Sequence, residues 1–194
     1  MTAPMRYAAH KIDSLQSRAL SAGFRVLESE GVENANLRAI ADEAGVGVAS
    51  IYHYFKTKDE LLTKMALIGL QDLLDDIRRQ RADPKGLSPT RAAGTAFFAF
   101  VQSKPQLFAL MFNPRLLARH EVLRQAEQRI FRDYEDALNH DDRVPEPHRE
   151  KAAYAIWALG RGMAAMVASY GGSLPPDKAQ KLWAGARFLI DRHE

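Results

Sequence analysis

Apolar residues recur at three- and four-residue spacings along nearly the whole chain, and no stretch keeps a sustained period of two. Such spacing sets one side of a helix against a core, turn after turn, and leaves no segment that reads as a strand. Leu20, Phe24 and Leu27 lie at i, i+4 and i+7 on a helix that ends at Gly31. Leu37, Ile40, Ala41 and Ala44 repeat the pattern between Asn36, a capping residue, and Gly45, a stop. A short helix over about 48–55 follows, then one from 59 to about 81 whose first turn carries acids that complement the helix dipole. Further helices are expected at about 89–103, 105–112, 116–139, 146–170 and 176–192. Pro105, Pro114, Pro145, Pro147, Gly171-Gly172 and Pro175-Pro176 mark their boundaries. The expected fold is all-α with about nine helices, a three-helix N-terminal domain over 8–56 and a larger helical domain over 57–194.

A chain of 194 residues, 46% hydrophobic, buries roughly 70% of its unfolded surface, so its core needs no covalent staple. It has no Cys, which excludes a disulfide framework, a thiolate metal site and a cysteine nucleophile. The 27 basic and 24 acidic residues leave a net charge of +3, too mild to announce a polyanion partner unaided. The first fifteen residues hold no apolar run of signal-peptide length and are interrupted by Arg6, His10 and Lys11. The longest uncharged stretch, 162–176, is shorter than the ~20 apolar residues of a membrane span and contains Gly-Gly and Pro-Pro. A cytoplasmic protein without a membrane partner is the expectation. No HExxH, GxSxG, Walker-type or GxGxxG motif is present. Asp75-Asp76 and Asp141-Asp142 have no convergent base and read as solvated surface, and His120, His140, His148 and His193 are scattered. No catalytic residue, no metal site and no cofactor is therefore expected.

The informative segment is LRAIADEAGVGVASIYHYFKTKDELL, residues 37–62. A helix-turn-helix needs a small residue where the second helix crosses the first. It needs Gly four positions later for a left-handed turn, and an apolar residue six positions beyond that to seat the second helix. Ala41, Gly45 and Ile51 meet these requirements; Val46 fills the turn and Phe55 continues the buried face. The opposite face of the second helix carries Val48, Ala49, Tyr52 and His53 outward. That mixture suits the DNA major groove: apolar groups for thymine methyls, Tyr and His for phosphates or base edges. The same spacing also fits an ordinary helical hairpin.

The stretch from Ala19 to Leu62 resembles the N-terminal domain of TetR-family transcriptional regulators. The residues that carry the likeness are Ala19-Leu20, Ala22, Gly31, Ile40-Ala41, Ala44-Gly45-Val46, Ile51-Tyr52, Tyr54-Phe55, Lys58 and Leu61-Leu62. The resemblance implies that Arg38 reaches a base edge or phosphate. It places Val48, Ala49, Ser50, Tyr52 and His53 on the recognition helix, with Tyr54 and Lys58 on the DNA backbone. Gly47 departs from the family pattern, which commonly has Ser or Thr there, so no hydroxyl reaches a phosphate from that position. Tyr52 and Tyr54 also fit packing roles, and Arg6 and Lys11 fit either an arm along DNA or a plain tail.

The larger domain holds an aromatic and methionine cluster: Phe97, Phe98, Phe100, Phe108, Met111, Phe112, Trp157, Met163 and Met166. Most of it is core, and part can line a cavity for an apolar ligand. The candidate ligand-binding set is Phe108, Met111, Phe112, Trp157, Arg161 and Met163. Arg161, between two glycines in an apolar helix, fits a surface residue, an acid partner or a ligand anchor. The segments 105–112 and 157–162 are similar to the TetR subgroup with a Trp-His-Gly C-terminal domain, with Arg161 where that subgroup has His. Small residues on the last two helices, among them Ala153, Ala158, Ala164, Ala165 and Ala168, permit close helix approach. Together the resemblance implies a homodimer formed through those helices, a pseudo-palindromic double-stranded operator and a small-molecule effector that releases a repressor. The rival reading is a helical enzyme or ligand-binding protein that acts on a small molecule in the C-terminal cavity.

Overall fold

A computed structural model describes residues 15–190. Arg6, Lys11 and His193 lie outside the described residues. All regular structure among the described residues is helical, as the spacing requires. The helices are α1 (Leu15–Asn34), α2 (Leu37–Ala44), α3 (Val48–Tyr54), α4 (Lys58–Ala82) and α5 (Pro89–Ser103). They continue as α6 (Pro105–Met111), α7 (Pro114–Arg119), α8 (Glu121–Asn139), α9 (Arg149–Ser169) and α10 (Pro176–Ile190). A single 3-10 turn, Glu146–His148, precedes α9.

Local chemistry sets most boundaries. Gly31 leaves helical geometry at φ 80°, where the sequence ends the first helix. Asn36 caps α2 by accepting the Arg38 and Ala39 N–H groups at 3.1 and 3.0 Å. Thr57 and Glu60 cap α4 together: the Glu60 N–H donates to the Thr57 hydroxyl at 3.1 Å, and the Glu60 carboxylate accepts the Lys56 N–H at 2.8 Å. Asn113 caps α7, with Pro114 in its first turn. The segment expected as one helix over 116–139 is divided at His120, whose backbone is extended at φ −119° and ψ 103°. The break is sustained by tertiary contacts: His120 Nε2 lies 2.7 Å from Asp59 Oδ2, and Arg124 donates to the Leu117 and Ala118 carbonyls at the end of α7.

The chain forms two compact units. One consists of the described residues up to Asp72 together with Gln106–Gln125, the other of Leu73–Pro105 and the described residues from Ala126 onward. In the first unit Leu20, Leu27, Ile40, Ile51, Leu61 and Met65 are at most 1% exposed. Helix α6 packs against α4 at Gly69, where an added Cβ would stand 2.7 Å from Met111 Sδ and 2.9 Å from Leu107 Cδ1. The Glu28 carboxylate accepts the Gln106 and Leu107 N–H groups at 3.4 and 2.9 Å, which satisfies donors in the first turn of α6.

The second unit buries Leu73, Ile77, Phe97, Ile130, Leu138 and Val167. Arg78 grips Asp133 with Nε and Nη2, and Arg81 reaches Asp136 at 2.7 Å. Asp141 corrects the expectation of a solvated carboxylate pair: it is 1% exposed. Arg143 Nε and Nη2 reach its two oxygens at 2.8 and 2.7 Å. The hydrogen bond from Arg143 holds the Asp141 carboxyl well below the usual range, with the Thr90 and Ser88 hydroxyls acting in the same direction against the cost of burial. Met166, part of the expected aromatic and methionine cluster, is 42% exposed.

Candidate nucleic-acid interface and ligand cavity

The turn between α2 and α3 has the geometry its residues require. Gly45 is left-handed at φ 64° and ψ 40°, and its N–H bonds back to Ala41 and Asp42. The Val46 N–H donates to the Ala41 carbonyl at 3.0 Å, closing the turn. Ala41 and Ile51 are fully buried and Phe55 nearly so, which fixes α3 by its inner face. Arg18 donates to the Ala44 carbonyl at 2.9 Å, and Arg25 pairs with Glu43 at 2.5 Å, so α1 ties down the C-terminal end of α2.

With Ile51 inward, helical geometry turns the positions on either side of it outward. Ala49, Tyr52, His53 and Tyr54 are exposed, and Val48 and Ser50 are half-buried. Arg38 is exposed at the start of α2. The His53 and Tyr54 rings meet edge to face with centroids 5.0 Å apart. Gly47 caps α3 without a side-chain bond. Lys58, half-buried, donates from Nζ to the Glu33 carbonyl at 2.9 Å, which uses one of the ammonium's three donors. Lys56 was not among the residues singled out from the sequence; it is exposed beside this face, with Nζ 3.5 Å from the His53 carbonyl. Its signal was present in the run Lys56-Thr57-Lys58, where two cations flank a helix cap.

The second unit contains a cavity of about 830 Å³ walled by α5, α9 and Tyr134 of α8. Phe97, Phe98, Tyr134 and Trp157 supply its aromatic surface, and Met163 adds to it from α9. The rings interlock: Phe97 and Tyr134 lie 6.0 and 5.6 Å from Trp157 between centroids. Burial pushes the Tyr134 phenol above its ordinary value. A Cβ at Gly94 would meet the Tyr134 hydroxyl in ordinary contact at 3.6 Å.

Of the residues put forward as ligand-binding, Trp157 and Met163 line this cavity. Phe108, Met111 and Phe112 do not; they are buried in the first unit, where α6 packs at Gly69 and the Phe108 and Phe112 rings meet at 4.7 Å. Arg161 is paired with Glu127 and is not among the lining residues. Of that set, the structure brings together only Trp157 and Met163 at the cavity. Aromatic content does not reveal which compact unit a short helix joins, and α6 joins the first. Cavity-lining residues not singled out from the sequence include Thr90, Arg91, Thr95, Gln102 and Arg143. The signal for the first four was their spacing on the face of α5 that also carries Phe98. Nothing local marked Arg143.

Among the described residues no helix is long and apolar enough to cross a membrane, and no group of three or more His, Asp or Glu side chains is placed to hold a metal ion.

Comparison with known proteins follows the division between helix-turn-helix and cavity. Residues 19–65 match the family described as "Bacterial regulatory proteins, tetR family". Residues 90–187 match "Tetracyclin repressor-like, C-terminal domain". An HTH-type transcriptional regulator of Mycobacterium tuberculosis is 32% identical over 111 residues, 56% of this chain and 47% of that protein. An HTH-type nicotine-responsive transcriptional repressor of Paenarthrobacter nicotinovorans is 39% identical over 64 residues, a third of each chain (33% and 33%). The chain thus spans about half the length, or less, of these curated relatives. Among solved structures, a TetR-like transcriptional regulator from Rhodococcus sp. RHA1 superposes with a TM-score of 0.67 at 20% identity, covering 93% of this chain and 99% of its own. That likeness concerns the fold. Two family matches in sequence order, over the residues that build the turn and those that build the cavity, lead to one assignment: the chain belongs to the TetR family of bacterial regulatory proteins.

Proposed function

We propose that the protein is a sequence-specific DNA-binding transcriptional regulator, a homodimeric repressor released from a pseudo-palindromic operator by a small molecule. The observation that carries this reading is α3, seated by buried Ile51 and Phe55 while Ala49, Tyr52 and His53 stand exposed on its outer side. In this reading Val48 and Ala49 meet base edges and thymine methyls, and Ser50, Tyr52 and His53 read the groove or its walls. Arg38, Tyr54 and Lys58 hold the phosphates that set register. Dimerisation proceeds through α9 and α10; exposed Tyr154 and Met166 on α9 support a further buried surface there. The cavity walled by α5 and α9 takes the effector, in a protein working in the cytoplasm. Membership in a family of regulators and relatives named as regulators favour this reading over an enzyme.

A ligand releases DNA only when it prefers the state that does not bind the operator. A shift from 1:99 to 99:1 takes a preference of about 5.5 kcal/mol. The test is footprinting of the purified protein on genomic DNA. Protected sites with two related half-sites, ~34–36 Å or a multiple of that apart, are expected. Uniform binding with no protected site, or a single asymmetric half-site bound by a monomer, contradicts the proposal.

A further inference from the structure

Helix α8 brings a polar group into the aromatic part of the cavity. Tyr134 is 7% exposed and lines the cavity beside Gly94 of α5, another lining residue, where a Cβ would stand 3.6 Å from the phenol oxygen. Its ring is fixed by neighbours: Phe97 meets it edge to face at 6.2 Å, and Trp157 lies tilted against it at 5.6 Å between centroids. Among the described residues nothing pairs with the Tyr134 hydroxyl. A buried hydroxyl in this state has given up its water without a bond in return, and such groups are rare in folded chains. Desolvation raises the phenol above its ordinary value, so it stays protonated and offers a neutral donor.

The rest of the lining sets the charge of the site. Arg143 brings no net charge, because Nε and Nη2 are taken by the two oxygens of buried Asp141. Arg91 stands exposed in the first turn of α5, where the high dielectric of water weakens its field. The Thr95 hydroxyl donates to the Arg91 carbonyl at 2.8 Å. Among the described residues no aspartate or glutamate lines the cavity.

We propose that this cavity binds an uncharged, mainly apolar molecule bearing a carbonyl-type oxygen, which accepts a hydrogen bond from the Tyr134 hydroxyl while the body of the molecule lies against Phe97, Phe98, Trp157 and Met163. The proposal deepens the proposed function and rests on its reading of this cavity as the effector site. An anion would shed its water among aromatic rings and recover one neutral hydrogen bond, which does not offset the loss. A cation gains from the ring faces but finds no lining carboxylate in place of its water. A pure hydrocarbon would leave the phenol unpaired.

The test is equilibrium dialysis of the full chain, without DNA, against benzophenone, diphenylmethane, diphenylacetate and benzhydrylamine, which share two rings and differ in the central group. The ketone is expected to bind at least about tenfold tighter than the acid or the amine, in line with the cost of desolvating a charge. Tyr134→Phe deletes one oxygen atom and keeps the ring. It should lower the affinity for benzophenone about fivefold, the effect of one neutral hydrogen bond, and leave that for diphenylmethane unchanged. Without ligand, Tyr134→Phe should unfold at the parent's temperature or above it, because the deleted hydroxyl had no partner to lose. Unaltered ketone binding in the variant, an equal loss for ketone and hydrocarbon, tighter binding of the acid or the amine, no binding of any probe, or a lower unfolding temperature for ligand-free Tyr134→Phe overturns the proposal. Because binding is read on the protein alone, each of these results leaves the DNA-binding proposal standing. Benzophenone bound through Tyr134 without any change in the DNA footprint would keep the ligand chemistry and remove the cavity as the effector site.

Discussion

Lys58 joins α4 to the end of α1 and, in the proposed function, faces DNA as well. Its Nζ bonds the Glu33 carbonyl near the end of α1, and in the proposed function it also meets a phosphate. Lys58→Ala should therefore weaken binding to all DNA sequences alike and reduce the salt dependence by about one phosphate contact. Fluorescence anisotropy across a salt series reads both, and an unchanged slope would remove Lys58 from the interface. Asp141 gives a prediction of a different kind. Its carboxyl is held below the ordinary value of about 3.9, so the unfolded chain binds the proton first as pH falls. The stabilisation is complete above about pH 4 and is lost as pH drops below that toward the folded-state value. Asp141→Asn should lower stability at neutral pH by about 1–3 kcal/mol and flatten the acid limb of the stability curve. Denaturant midpoints at neutral and acid pH test this; an equally steep acid limb in the variant would place the acid sensitivity elsewhere.

At the scale of elements, the helix-turn-helix depends on a few short-range bonds. Asn36→Ala removes the acceptor for two α2 N–H groups and should cost about 1 kcal/mol. Gly69→Val would drive a branched side chain into Met111 and Leu107, with a loss of about 1–3 kcal/mol measured by thermal unfolding. Stability equal to the parent would mean that α6 yields easily at that contact. Asn36 marks what was legible in the sequence, and Gly69 what was not. Asn36, Gly45 and the Ala41–Ile51 spacing act within a dozen residues, so α2, the turn and α3 stand where local chemistry puts them. The capping pair Thr57 and Glu60 is equally local, though it was not singled out from the sequence. The division at His120 was not, because what sustains it includes Asp59, sixty-one residues away. Nor was the placement of α6, whose Phe108 and Met111 carry the same composition as a cavity wall but pack in the first unit. Arg143 joins the cavity through Ser88, fifty-five residues distant, and periodicity carries no trace of that contact.

At the scale of the whole molecule, the proposed function combines a DNA-reading head, a dimer through α9 and α10, and a ligand cavity. Two-fold symmetry in the proposed dimer would be mirrored in its operator. Ala164 is fully buried and Ala165 exposed on α9, so Ala165→Arg is the cleaner probe of a shared face. It should dissociate the dimer and lower operator affinity, because an arginine buried between subunits would lack a partner; sedimentation that shows an intact dimer would place the interface elsewhere. In the proposed function the outer face of α3 reads DNA. Ala49 stands exposed on that face, opposite the residues that hold the helix, so Ala49→Glu sets a carboxylate against phosphates without touching the core. The decisive measurement is the affinity of wild type and Ala49→Glu for a fragment footprinted by the wild-type protein, with circular dichroism confirming that both are folded. Tight, salt-sensitive binding is expected of the wild type and none above background of the variant. Wild-type affinity in a folded Ala49→Glu protein would contradict that reading of α3.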